Sequence, residues 1–233
     1  PLIQLFARKS EVQYPVCALT NSQGEIIVSE MNSGRVKIFD ATGRYLRDLK
    51  FNDVAGSSET VAPGRFALDA KDNLYLLDRA NAKVHVFDSE GKHTFSFGDK
   101  GRKDGEFWMP ADIAVDPAGM VFVSDSVSVP VQVFDRSGKY VRGFGKHGQG
   151  KTEFSFPSGI ALDRKNRVWV ADSFRHDIKV FNASGAFLAE YGGMGQDETA
   201  LFFPADLDFD EDNRLLVIEK GANRLKVFSV EKK

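Results

Sequence analysis

The chain has 233 residues, 33 acidic and 31 basic side chains and a net charge of −2, so it can bury a sizeable core and has no basic excess for gripping nucleic acid. No apolar run approaches the length of a membrane span, and the first residues lack the basic and apolar pattern of a secretory signal. The single cysteine, Cys17, excludes an intramolecular disulfide, and an excess of phenylalanine over tyrosine indicates a dry aromatic core.

Along the chain, the first strand signal is Leu2 to Phe6, which stands outside any complete unit. One unit then repeats. Proline recurs at Pro15, Pro63, Pro110, Pro157 and Pro204, at steps of 48, 47, 47 and 47 residues, a period expected of propellers and solenoids. Each proline opens a strand in which large apolar residues bracket a small one, Ala67, Ala114 or Ala161, so that a neighbouring sheet can approach; Leu19 and Asp208 break that rule. Six places after the proline come Asn21, Asp69, Asp116, Asp163 and Asp210, and three further on Gly24, Asp72, Gly119, Asn166 and Asn213. An Asx side chain folding onto its own backbone, followed by a residue that tolerates positive φ, predicts a tight hairpin.

A second strand follows in each copy, such as Val168-Trp169-Val170, and ends on an acid: Glu30, Asp78, Asp125, Asp172 or Glu219. The third strand alternates, as in Val84-His85-Val86-Phe87, with one face inward. Asp40, Asp88, Asp135 and Asn182, each three residues before a glycine, repeat the turn and launch a fourth strand. The prediction is an all-β chain, a β-propeller of four-stranded antiparallel blades, with five blades. Repeats fall at about 14–60, 61–107, 108–154, 155–201 and 202–233 of one domain, 1–233. The last copy lacks a fourth strand, and residues 2–6 match that pattern, so the N-terminal strand is expected to close the last blade; a fragment of a larger ring is the alternative.

The segments Phe144-Gly145-Lys146-His147-Gly148, Phe156 to Asp163 and Val170 to Phe181 resemble the NHL repeat family, and the likeness extends over all five copies. The resemblance implies a propeller. Family functions span protein binding, RNA binding, sensing, extracytoplasmic roles and, distantly, a zinc-dependent amidating lyase. Family rings usually have six blades. The family's basic residue five places after the strand-end acid appears as Arg35, Lys83 and Arg224, expected to bridge a hairpin, but the third and fourth copies carry Pro130 and Asp177.

Propeller function sits on loops carried by a rigid frame. Here the expected function is a non-enzymatic scaffold that binds protein or peptide through the loop face, with Arg102, Lys103, Trp108, His147, Arg175 and His176 as candidate contacts. Basic and acidic residues nearly balance in those loops, which disfavours RNA binding. The second alternative is a metal-dependent lyase or hydrolase at the channel mouth. There, two places after the proline, stand Cys17, Arg65, Asp112, Gly159 and Asp206, with Asp208 two places deeper. Arg65, Asp112, Asp206 and Asp208 would hold a Ca or Zn ion or a small polar ligand, or else line a hydrated channel. No cofactor is otherwise indicated. Each histidine reads as a surface residue, because no histidine set has the convergence that zinc requires. An extracytoplasmic location is implied by the resemblance alone.

Overall fold

This is a computed structural model, and it describes residues 12–31, 33–51, 54 and 60–230. The predicted strand at Leu2 to Phe6, and closure of the last blade through it, lie outside those residues. The described chain is all-β and divides into two compact units, Pro1–Lys100 and Gly101–Lys233.

In the first unit, β1 (Pro15–Thr20), β2 (Ile26–Glu30), β3 (Arg35–Phe39) and β4 (Tyr45–Asp48) form one antiparallel meander. A second is made by β5 (Pro63–Leu68), β6 (Leu74–Asp78), β7 (Lys83–Phe87) and β8 (His93–Phe97). Two-residue strands follow at β9 (Asp99–Lys100) and β10 (Glu106–Phe107). The second unit holds β11 (Pro110–Val115) to β14 (Tyr140–Phe144), with β12 (Val121–Asp125) and β13 (Val131–Phe134) between them. It continues with β15 (Pro157–Leu162), β16 (Val168–Asp172), β17 (Asp177–Phe181) and β18 (Phe187–Gly192). Its last sheet has three described strands, β19 (Pro204–Phe209), β20 (Arg214–Glu219) and β21 (Arg224–Ser229). These five meanders are the predicted blades.

The turns form for the reason anticipated. In each first hairpin the Asx Oδ1 accepts the N–H groups two and four residues on, as Asp163 does from Lys165 and Arg167, both at 2.9 Å. Asp72, Asn166 and Asn213 sit at φ +60°, +57° and +58°, the left-handed region that Asx residues tolerate.

Apolar side chains on facing strands pack between successive sheets. In the first unit Ile27 and Ile38 meet Phe66, Leu76 and Phe87. In the second, Phe122 and Val133 meet Ile160 and Phe181, and Trp169 and Ile178 meet Leu207 and Val217. Each such buried side chain contributes roughly 1.5–3 kcal/mol. Trp169 is a packing residue, with its Nε1–H given to Asp163 Oδ2 at 3.1 Å.

Polar ties hold the innermost strands together within each unit. Ser29 Oγ donates to Gly64 O at 2.7 Å, Ser124 Oγ to Ser158 O at 2.6 Å and Ser126 Oγ to Pro157 O at 2.7 Å. Backbones come close at Gly159, where a Cβ would lie 2.7 Å from Asp206 Cα. An irregularity in the ladder follows each opening proline, which re-aims the side chain two places on: Cys17 pairs with Ser29, Asp112 with Ser124 and Asp206 with Ile218.

Candidate functional site

The strand-end acids anchor the loops. Glu30, Asp78, Asp125, Asp172 and Glu219 are all fully buried, and each accepts backbone N–H groups from the segment entering its own blade. Gln13 donates to Glu30 at 2.7 Å, Ala62 to Asp78 at 3.0 Å, Trp108 to Asp125 at 2.7 Å, Phe156 to Asp172 at 2.9 Å and Phe202 to Glu219 at 2.6 Å. The position of these acids was legible in the sequence. Their role was not, because the donors lie about 16 residues upstream and carry no side-chain signature.

Among the described residues, the expected hairpin bridge forms in one copy. Arg224 reaches Glu219, whereas Arg35 turns to Asp48 at 3.5 Å and Lys83 to Asp99 at 3.6 Å. The strand-end acids are taken instead by the middle residue of the third strand, Lys37 with Glu30 at 3.0 Å and His85 with Asp78 at 3.1 Å. In the fourth copy Asp177 replaces the basic residue, and both its oxygens take the wholly buried Lys179 ammonium, at 2.6 and 2.8 Å. Burial pushes the Asp177 carboxyl up, against the pull of Lys179.

At the inner strands, Asp112 is buried and ties two strands together. Its Oδ1 accepts the Ile113 N–H at 2.9 Å and its Oδ2 the Ile160 N–H at 3.0 Å. Asp206 accepts the Leu207 N–H at 3.0 Å, and Asp208, two places on along the same face of β19, accepts the Phe209 N–H at 2.7 Å. Asp208 touches water, yet burial pushes its carboxyl up. The Phe209 N–H opposes that, and the negative charges of Asp206 and Asp210 add to it. Arg65 is half-buried on β5 in the first unit.

On the loops, the Arg102 guanidinium lies 4.7 Å over the ring of Trp108, which is 42% exposed. Lys103 is exposed and gives its backbone N–H to Glu106 at 3.0 Å. His147 is exposed, with Nε2 at 2.9 Å from Ser128 O. Arg175 is held by Asp177 at 3.3 Å and by Gln149 O at 3.2 Å. His176 and His85 are buried, which corrects the expectation of surface histidines. His176 stacks on Phe202, packs edge-on to Phe203 and accepts the Phe203 N–H on Nδ1 at 3.0 Å. Phe174, 58% exposed, stacks on Phe156 and meets Phe203, so an aromatic band runs across these loops. Alternation and turn spacing gave no sign of it.

Among the described residues, no three His, Cys, Asp or Glu side chains gather as a metal ion requires. Among the described residues, too, no helix is long and apolar enough to cross a membrane.

Residues 63–119 and 117–191 match the family DUF5128, described as a 6-bladed beta-propeller; the finer NHL assignment is not what this match carries. A search of curated proteins finds no match. Solved structures with the same fold include a selenomethionine-substituted virginiamycin B lyase from Staphylococcus aureus, at TM-score 0.67 and 14% identity over 94% of this chain and 71% of the lyase. A catalytically inactive histidine-to-alanine variant of that lyase with quinupristin gives TM-score 0.69 and 14% identity over 97% of this chain and 73% of the other. A provisionally named gluconolactonase gives 0.68 and 12% over 94% and 75%. Identities this low establish the fold. The expectation of a non-enzymatic protein- or peptide-binding scaffold is corrected by these three structures, whose names are those of a lyase and a gluconolactonase and which favour the lyase-or-hydrolase alternative.

Proposed function

Because this chain belongs to the 6-bladed beta-propeller family, we propose that it is an enzyme of the lyase or hydrolase type that opens a lactone or related cyclic ester, with Asp208 and Asp206 as its acid–base pair. The observation that carries the reading is the pair of carboxyls, Asp206 and Asp208, two residues apart on one face of β19, the Asp208 side chain exposed and its carboxyl pushed up by burial and by its acidic neighbours. A carboxyl so placed keeps its proton to higher pH and can deliver it to a departing alkoxide. Asp206, on the same face of the strand, is placed to take the proton of an attacking water in a hydrolase, or of the substrate carbon in a lyase. Gly159 lets the neighbouring strand close against Asp206, which fixes that carboxylate's backbone. The exposed rings of Phe174 and Phe202 offer apolar surface in the same unit for the rest of a substrate. The propeller enzymes that share the fold support the reaction class, and the NHL-like repeat signature supports a place near that family.

The test is turnover of a panel of lactones and cyclic esters, followed by acid release, with native protein and Asp208→Asn. Asn keeps the shape and the Phe209 contact but has no acidic proton, so kcat/KM should fall about 100-fold or more with the melting curve retained. Full activity in Asp208→Asn, or no turnover of the panel by native protein, refutes the reading.

A further inference from the structure

His85 lies in the middle of β7, directly opposite Ser96 on β8, the edge strand of its sheet. Its Nε2 is 3.1 Å from Asp78 Oδ2, and its Nδ1 is 2.7 Å from Ser96 Oγ. His93 Nε2 approaches the same Ser96 oxygen at 2.8 Å. The carboxylate fixes the order of protons along this chain. Burial opposes ionisation of Asp78, but hydrogen bonds from His85, Asn81 and Ala62 outweigh it and hold the carboxyl below its ordinary 3.8. An ionised carboxylate only accepts, so His85 Nε2 carries the proton and, in the neutral ring, Nδ1 is the acceptor. The Ser96 hydroxyl then donates to His85, and its lone pair takes the N–H of His93. Asp78 is kept in place by the N–H groups of Ala62 and Ala80, both at 3.0 Å, and by Asn81 Nδ2 at 2.6 Å.

The other copies show what a merely structural tie looks like. The position of His85 is filled by Lys37, Gln132 and Lys179, and the residues opposite are Asp48, Gly143 and Glu190. Among the described residues, a hydroxyl facing a ring nitrogen that accepts its proton occurs in the second copy alone. Ser96 is half-buried, in contrast to the sealed Asp78 and His85. Alternate N–H groups along an edge strand face away from the ladder, where a developing oxyanion can use them.

We propose that Ser96 is an activated nucleophile for acyl transfer from esters with good leaving groups, with His85 as its general base, Asp78 as a positioning residue and His93 as a donor that orients the serine oxygen. Ser96 Oγ bonds to the acyl carbon while its proton passes to His85 Nδ1. The carbon–alkoxide bond breaks, and His85 returns the proton to the leaving oxygen as an alcohol. Water, deprotonated by His85, then cleaves the acyl-serine, releasing the carboxylic acid and restoring the hydroxyl. This chemistry is separate from that assigned to Asp208 and does not rest on it.

The full chain is treated with a fluorophosphonate, with which Ser96 Oγ would form a phosphorus–oxygen bond as fluoride leaves, and the adduct is located by peptide mass spectrometry. Labelling of Ser96 is expected in native protein, lost in Ser96→Ala, and about 100-fold slower in His85→Gln. Glutamine fills the equivalent position as Gln132, so that variant should fold, and circular dichroism checks that it does. An unlabelled native protein, labelling that survives Ser96→Ala, or equal rates in native protein and folded His85→Gln would each overturn the proposal.

Discussion

The second and fourth blades answer the same problem with different charges. In the second, the middle residue of the third strand is His85, and it turns back to the strand-end acid, Asp78. In the fourth it is Lys179, which leaves the strand-end acid to the backbone and pairs with Asp177 two residues before it, with Glu190 at 3.6 Å on the other side. The backbone frame is common to both, since each residue stands at the same register on its sheet. What differs is which carboxylate pays the cost of burial. Asp78 gathers enough donors to stay below its ordinary value, whereas burial pushes Asp177 above it. A repeat therefore fixes where a polar side chain is buried without fixing its partner. One copy is free to become a salt bridge and another a directed chain ending in a serine.

The comparison breaks most sharply at Asp177. Asp177→Ala strands the Lys179 ammonium, with zero exposure, leaving it Glu190 at 3.6 Å and the face of the Phe154 ring, and should cost about 3–5 kcal/mol in urea unfolding. The acid limb of stability should sharpen the contrast, because the two carboxylates act with opposite sign. The lowered Asp78 gives stability that is present above the unfolded value of 3.8 and lost as pH falls through its folded value. The raised Asp177 binds its proton more tightly in the folded state, so between 3.8 and its folded value it adds stability as pH falls. Asp78→Asn should flatten the acid loss of stability and Asp177→Asn should steepen it, both measured as unfolding free energy from neutral to acid pH. The smallest effect is expected at His85→Gln, about 1 kcal/mol, since an amide can still donate to Asp78.

Much of this frame was legible in the residues, and for a physical reason. The Asx and glycine positions must adopt particular backbone angles, so Asp163 with Asn166 announces a hairpin without any tertiary information. The alternation in the third strands likewise marked Val84 and Val86 as buried. The charged partners were not legible. Arg35 and Lys83 stand where a hairpin bridge is expected, yet Asp48 and Asp99 take them, because a long exposed side chain selects among several carboxylates at little energetic cost. Asp112 was placed correctly at the entry of an inner strand, but its binding to the Ile160 N–H depends on how two sheets 48 residues apart in sequence stack. The buried histidines were missed because a lone histidine in an alternating strand has no sequence mark of its partners, and His176 needed Phe202 and Phe203 from the following copy to bury it.

The titration of Asp208 can be followed directly by its carboxyl carbon shift in isotope-labelled protein, with Asp208→Asn to assign the signal. The account predicts a midpoint above the ordinary 3.8, falling toward that value when Asp206 is replaced by Asn and one of the neighbouring negative charges is removed. A midpoint at or below 3.8 in the native protein would leave Asp208 an ordinary ionised carboxylate and contradict its role as the proton donor.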